Sequence, residues 1–306
     1  MRNVLVTGAA GFIGRNICHR LSSEGLAVRG VDNFSVAPTG QSPMPIERKD
    51  VRHLTVSDLS NVDTVIHLAA LKSVPGSFSS AENLTHNLSV DHHILALHHA
   101  SSCPRLLMAS TCEVYGQQGG YNRESDALAP RSPYAVGKAA SEMLADVYRT
   151  LNLEKQIGVV RFFNTYGPDE GGDAVVPAFL DSVADGRPCE VEGDGTQARD
   201  MTHIDDMVAM LWQVLAHEQL PHTINLGSGT AVPIRKLAAK IVEIEGQGAI
   251  RHTQDRPNEI AAFTADMHRY IGLFGNLPSR SLDEGLRAAH KQRHLLRQDG
   301  LLGAVS

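Results

Sequence analysis

Apolar positions follow two alternating rhythms along this 306-residue chain. Short, β-branched runs predict buried strands at Asn3–Thr7 (NVLVT), 26–31, 64–69 (TVIHLA), 106–109 and 157–161. Between them the apolar residues fall about four apart. Ile13, Ile17 and Leu21 make the stripe of an amphipathic helix, and 87–100 and 134–151 carry helical patterns as well. Strands alternating with helices predict an α/β fold with a Rossmann-type, doubly wound parallel sheet. After Gly167-Pro168 the rhythm loosens, with Pro177, Pro188 and Gly193-Asp194-Gly195 along the way. The run at 223–226 (TINL) reads as a return to the first sheet. The expected organisation is a first domain over 1–166, with a return segment at about 201–229, and a smaller α/β domain from 167–200 and 230–306 that binds substrate. The segment 35–48, with Pro38, Gly40, Pro43 and Pro45, reads as a mobile loop.

Composition narrows the function classes. A hydrophobic fraction of 42% supports a sizeable core, and the net charge of −6 argues against a nucleic-acid partner, which would favour a basic stripe. Cys18, Cys103, Cys112 and Cys189 lack metal-type spacing and suit a reducing compartment. No apolar run is long enough to span a membrane, and the first residues enter a strand directly without the pattern of a signal peptide. The expected location is cytoplasmic. Among the fifteen histidines, His92-His93 and His98-His99 are read as partly exposed helix or interface residues rather than metal ligands, and no metal is expected.

Chemistry begins at Gly8, Gly11 and Gly14, between the first strand and the first helix. Glycine there permits a tight turn and lets backbone N–H groups approach a pyrophosphate at the helix N-terminus. Asp32 stands 24 residues after Gly8, at the end of the second strand, where a carboxylate binds ribose hydroxyls. No Arg follows within three residues, and a carboxylate repels a 2′-phosphate, so NAD is preferred over NADP.

Ser132-Pro133 supplies an N-cap and a first-turn proline for the next helix of interest. Tyr134 and Lys138 then share a face at i and i+4. An ammonium beside a phenol is expected to lower the Tyr134 pKa, so that the phenolate takes a proton from a hydroxyl while NAD takes the hydride.

These motifs stand in a longer series. Thr7 to Gly14, His67-Leu68-Ala69-Ala70, Val114-Tyr115-Gly116, Tyr134 with Lys138, Arg161 to Pro168 and Gly193 to Asp200 occur in the order seen in extended short-chain dehydrogenases/reductases. The chain resembles the NAD-dependent nucleotide-sugar epimerase/dehydratase branch of that family over nearly its whole length. The resemblance implies that Phe12, Ile13, Asn33, Leu68, Ala69, Ala70, Lys72 and Asn87 lie along the cofactor and that Asp50-Val51 contacts the adenine. Thr111 matches the hydroxyl residue that bonds the sugar hydroxyl being oxidised. Asn164 matches the holder of the diphosphate, Val176 lies with the substrate, and Arg199 and Arg256 match arginines that grip phosphates or base. A homodimer formed by two helices from each subunit is implied too, those at 87–100 and 134–151. The segment Leu71 to Ser77 departs from the glucose-type dehydratases, which carry an acidic residue there.

The triplet Thr111-Cys112-Glu113 bears on the reaction. Oxidation at C4 of a hexose acidifies the C5 hydrogen, and three fates follow: 4-epimerisation, loss of a C6 carboxylate, or loss of the C6 hydroxyl as water. Simple 4-epimerases of the family lack a carboxylate where Glu113 stands, so Glu113 points to removal of the C5 proton. The glucose-type dehydratases resemble Thr-Asp-Glu, and the glucuronate decarboxylases and mannose-type dehydratases resemble Thr-Ser-Glu. Cys112 thus occupies the leaving group's proton-donor position, either assisting or filling space. The expected activity is dehydration of a UDP-hexose. The nearest resemblance is to the 5,6-dehydratases that act on UDP-N-acetylglucosamine in tunicamycin assembly, which give an unsaturated exo-glycal. UDP-glucuronate decarboxylation, UDP-sugar 4-epimerisation and a non-catalytic NAD-sensing role are the rival readings.

Overall fold

The computed structural model describes residues 1–298 apart from 37–41, 43, 81, 118–119, 173 and 255–259. In chain order the first strands are β1 (Asn3–Thr7), β2 (Ala27–Asp32), β3 (Ile46–Arg48), β4 (Thr64–His67), β5 (Arg105–Thr111) and β6 (Gln156–Phe162). They are joined by helices α1 (Phe12–Ser23), α2 (Val74–Ser79), α3 (Glu82–Ala100) and α4 (Pro133–Leu151). The chain continues through β7 (Asn164–Tyr166), α5 (Val175–Ala184), β8 (Cys189–Glu192), β9 (Ala198–His203), α6 (Ile204–Ala216) and β10 (Thr223–Leu226). Last come β11 (Ala231–Pro233), α7 (Ile234–Glu245), β12 (Ile250–Thr253), β13 (Ala262–Phe263), α8 (His268–Phe274) and α9 (Leu282–Gln298).

Seven strands form one sheet in the order β10-β6-β5-β4-β1-β2-β3, every pair parallel. This is the predicted Rossmann-type α/β fold, and the run at 223–226 does return to the sheet, beside β6. Part of the segment read as a loop is the edge strand β3; its residues 37–41 and 43 lie outside the described set. Both faces of the sheet are buried, as parallel strands require. Ile17 and Leu21 of α1 pack with Met207 and Leu211 of α6 on one face, while Ile94 and Leu95 of α3 pack with Ala145 of α4 on the other.

Strand order reverses between β1 and β4, and in such sheets ligands bind beyond the carboxyl ends of the strands at that point. Register brings those ends level. Thr7 pairs with His67, Met108 with His67 one strand over, and Thr111 with Phe162. The residues that follow each strand are therefore gathered along one edge of the sheet.

A second group of elements covers that edge. β9 pairs with β7, β11 and β13, and β8 pairs with β12. Helices α5, α7 and α9 close a third core around Phe179, Leu180, Leu237, Ile241 and Leu286. A buried ion-pair cluster ties α9 to α5: Arg293 Nε donates to Asp181 Oδ1 at 2.6 Å and Arg297 Nη2 to the same oxygen at 3.0 Å.

Candidate active site

A cleft of about 440 Å³ runs along the carboxyl ends of the strands. At one end, Gly8 closes β1 with φ +69°, and a Cβ there would stand 2.7 Å from the Ala69 backbone nitrogen. A Cβ on Gly14 would stand 2.0 Å from the Gly8 carbonyl oxygen. Only glycine lets α1 begin this close to the strand. Gly11 caps α1 without a side chain, so the first amides and the positive end of the helix are left for an anionic ligand in the cleft. The Asp32 carboxylate accepts from the amides of Ala10 (3.0 Å) and Phe34 (2.7 Å), which fixes it beside the glycine turn. Arg52 donates to Asp50 through its backbone N, Nε and Nη2, each at 2.9 Å, and Asn33 Nδ2 adds a bond of 3.1 Å. These bonds, the guanidinium's foremost, hold the Asp50 carboxyl well below the usual range. The uncapped helix start suits a pyrophosphate and the fixed carboxylate suits ribose hydroxyls, so this half of the cleft fits NAD.

At the other end, α4 begins where the chain predicts. Ser132 caps it, its Oγ accepting from the Ala135 amide at 3.1 Å, and Pro133 takes the first helical position. Tyr134 and Lys138 are buried and both line the cleft. Thr111 ends β5 and caps a short 3-10 turn, Cys112–Tyr115, its Oγ1 accepting from the Glu113 amide at 3.2 Å. That turn brings Thr111, Cys112 and Glu113 to the cleft opposite Tyr134.

Beneath α4 lies a buried ionic scaffold. Arg161 on β6 holds Glu142, one turn beyond Lys138, with Nη2 at 2.7 Å and Nε at 3.1 Å. Ser110 donates to the same carboxylate. One carboxylate thus ties the helix bearing Tyr134 to the strand bearing Thr111.

Sequence reasoning missed the partner of Lys138. Its Nζ donates to Asp91 Oδ2 and to the Ala109 carbonyl, both at 3.1 Å. The other Asp91 oxygen lies 2.9 Å from His67 Nε2, and His67 Nδ1 lies 2.7 Å from Thr7 Oγ1. All four residues are buried. With Asp91 ionised, His67 Nε2–H donates to it and the Thr7 hydroxyl donates to Nδ1. Burial alone raises the Asp91 carboxyl; the Lys138 ammonium and the His67 hydrogen bond outweigh it, and the net shift is downward.

This overturns one expectation. The Tyr134 phenol lies above, not below, its ordinary value. Burial is the main cause, with the negative charge of Asp91 next, while a hydrogen bond from Thr111 works the other way. The ammonium expected to assist Tyr134 is paired with the adjacent Asp91 carboxylate. Cys112 is 3% exposed and belongs to the main core; burial and the nearby Glu113 charge push its thiol well above the ordinary value.

The remaining site residues divide. Phe12, Ile13, Asn33, Asp50, Val51, Leu68, Ala69, Ala70, Lys72 and Asn164 line the cleft. Asn87 stands behind its wall, bonded both ways to the Leu71 backbone at 2.8 and 2.9 Å. Val176 packs in the third core. Arg199 donates to the Ile260 carbonyl at 2.9 Å and its guanidinium lies 5.4 Å from the Phe263 ring, outside the cleft lining. Arg256 lies outside the described residues. Arg15 was missed: it is buried, lines the cleft next to Gly14 and donates to the Asp169 carbonyl. A cation just inside a helix start that faces an anion site was the available signal.

Residues 4–227 match the NAD dependent epimerase/dehydratase family. The chain belongs to this family. Members of the NAD dependent epimerase/dehydratase family similar to it span both halves of that description. An uncharacterized UDP-glucose epimerase, YtcB, of Bacillus subtilis is 31% identical over 92% of this chain and 95% of its own. Among solved structures, TunA, an NAD-dependent NDP-hexosamine 5,6-dehydratase involved in tunicamycin biosynthesis, is 35% identical with a TM-score of 0.92, covering 96% of this chain and 98% of that one. The UDP-glucuronic acid 4-epimerase from Bacillus cereus, solved with UDP-glucuronic acid and NAD, is 29% identical with a TM-score of 0.88, covering 96% and 99%. The cofactor of this family is NAD, and the cleft residues carry the features it requires. No helix among the described residues is long and apolar enough to cross a membrane.

Proposed function

We propose that the chain is a nucleotide-sugar dehydratase that oxidises a UDP-hexose at C4, removes the C5 proton and expels the C6 hydroxyl as water. The observation that carries this reading is Glu113, presented to the cleft on the Thr111-capped turn opposite Tyr134. NAD, when bound, would supply the hydride acceptor for C4 and the same hydride for return to C4 after water is lost. Thr111 and Tyr134 bracket the C4 hydroxyl, and Tyr134 takes its proton in the phenolate form, which burial and the Asp91 charge keep scarce near neutral pH. Glu113 then serves as the base at C5, a position a plain epimerase leaves without a carboxylate.

The weak acidity of Cys112 shapes the second half of the step. A carboxylic acid, with pKa about 4, gives up a proton far more readily than a thiol raised above its ordinary pKa of about 8.5. On this reading Glu113 passes the proton gained from C5 to the departing C6 oxygen, and Cys112 supplies volume at the turn. Such a transfer takes place on one face of the sugar.

The likeness to TunA supports an amino-sugar substrate, UDP-N-acetylglucosamine, and an exo-glycal product. Asn164, which lines the cleft, would hold the nucleotide diphosphate, with Arg199 and Arg256 gripping phosphates or base if the second group of elements closes over the substrate; Val176, packed in the third core, would act only by shaping that group. A 4-epimerase is the second reading, favoured by the likeness to the epimerases. Incubating the enzyme with UDP-N-acetylglucosamine, UDP-glucose, dTDP-glucose and UDP-glucuronate separates them. A product lighter by one water supports dehydration, loss of carbon dioxide supports decarboxylation, and an unchanged mass with inverted C4 supports epimerisation.

A homodimer accompanies this reading. Val136, Met143, Val147 and Leu151 lie exposed along one face of α4, 45% to 62% accessible. A second copy of the same helix is the natural cover for such a stripe, and a monomer in sedimentation at micromolar concentration would contradict it. The four buried free thiols support a cytoplasmic location.

A further inference from the structure

Away from the cleft, three side chains converge where α9 crosses the end of α7. His290 and His294, four residues apart on α9, turn their Nε2 atoms toward a single oxygen of Glu245. His290 Nε2 lies 2.8 Å from Glu245 Oε2 and His294 Nε2 lies 3.6 Å from it. The three candidate ligand atoms all fall within 4.8 Å of one another. Ligands on a tetrahedral zinc at about 2.0–2.1 Å stand roughly 3.3 Å apart, so a small rotation of the side chains would seat an ion.

Two further features point to a cation. Glu245 is the last residue of α7, where the helix dipole is negative and a carboxylate is disfavoured. Its side chain is also only 7% accessible. A buried carboxylate at that end of a helix calls for positive charge close by. The two histidines are its partners within 4.0 Å among the described residues. Two imidazoles and one carboxylate are the donor set that borderline transition metals favour. The His290 and His294 rings meet edge to face, with centroids 4.6 Å apart.

We propose that Glu245, His290 and His294 form a zinc-class metal site that staples α9 to α7, with water completing the coordination. None of the three lines the catalytic cleft, so the ion has a structural role. The site secures the helix that also anchors Asp181 through Arg293 and Arg297.

The test uses the full-length, tag-free protein, stripped with chelator and titrated calorimetrically with zinc chloride. One saturable zinc per chain is expected, with a rise in Tm as zinc is added. His294→Ala and Glu245→Gln should each weaken that binding at least tenfold, while His92→Ala, at an exposed position on α3, leaves it unchanged. Cobalt(II) should give visible absorption bands of a low-symmetry, four-coordinate site, lost in His294→Ala. Absence of saturable zinc binding overturns the proposal and leaves a plain carboxylate–imidazole hydrogen bond. Binding that survives both substitutions, or that His92→Ala abolishes, overturns it equally.

Discussion

Replacing Asp91 by Asn removes the charge that faces Lys138 while keeping the shape. At 3.1 Å and an effective dielectric of about 20, the two charges attract by about 5 kcal/mol. Asn retains a carbonyl to accept from the ammonium, worth roughly 1.5–3 kcal/mol. The net loss is therefore about 2–3.5 kcal/mol, at the lower end of the cost of breaking a buried pair from one side. Urea unfolding of the two proteins should show that difference at pH 7. The difference also carries a pH signature. The folded Asp91 carboxyl lies below its ordinary value, so its contribution is present above about pH 4 and fades as pH falls through the folded pKa. The two stability curves should converge at acid pH. Catalysis should respond in the opposite sense. Asp91 is one of the charges that raises the Tyr134 phenol, so its removal lowers that pKa, and the acid limb of the kcat profile moves to lower pH. Equal stability at pH 7 together with an unmoved acid limb would refute the role given to Asp91.

Other substitutions probe the remaining parts of the site. Glu113→Gln should slow water loss by about 100- to 10,000-fold while the isolated oxidation half-reaction, read as NADH absorbance, survives. Cys112→Ser and Cys112→Ala should hold kcat within about tenfold of the parent, and a loss of about a thousandfold would restore the thiol as the proton donor. Gly14→Ala, whose Cβ would collide with the Gly8 carbonyl, should weaken NAD binding at least about tenfold in fluorescence titration. Glu142→Gln should destabilise the fold by about 3 kcal/mol or more, because it strands the buried Arg161 guanidinium, and thermal unfolding measures this directly.

The sheet was legible in the chain because β1, β4, β5 and β6 each carry a buried apolar run, while Arg29 breaks the run in β2. Strand ends were legible too, since Gly8, Asp32 and Thr111 each interrupt such a run with chemistry of their own. The short strands β7, β9, β11 and β13 were not, because Asn164, Arg199 and Asp200 are polar and their pairing is set by distant partners. The same limit hid the Asp91–Lys138 pair, whose members stand 47 residues apart and meet only when α3 packs against α4. It also reversed the expectation for Tyr134: the i, i+4 geometry of Tyr134 and Lys138 is local, but the charge paired with Lys138 is not. Glu245 and His290, 45 residues apart, escaped notice for that reason as well.

The central claim is that Glu113 commits the C4 ketone to dehydration. Product mass after incubation of the enzyme with UDP-N-acetylglucosamine tests it most directly. A UDP-sugar lighter by one water should be formed by the parent and not by Glu113→Gln. An unchanged mass with inversion at C4, formed equally by both proteins, would contradict it.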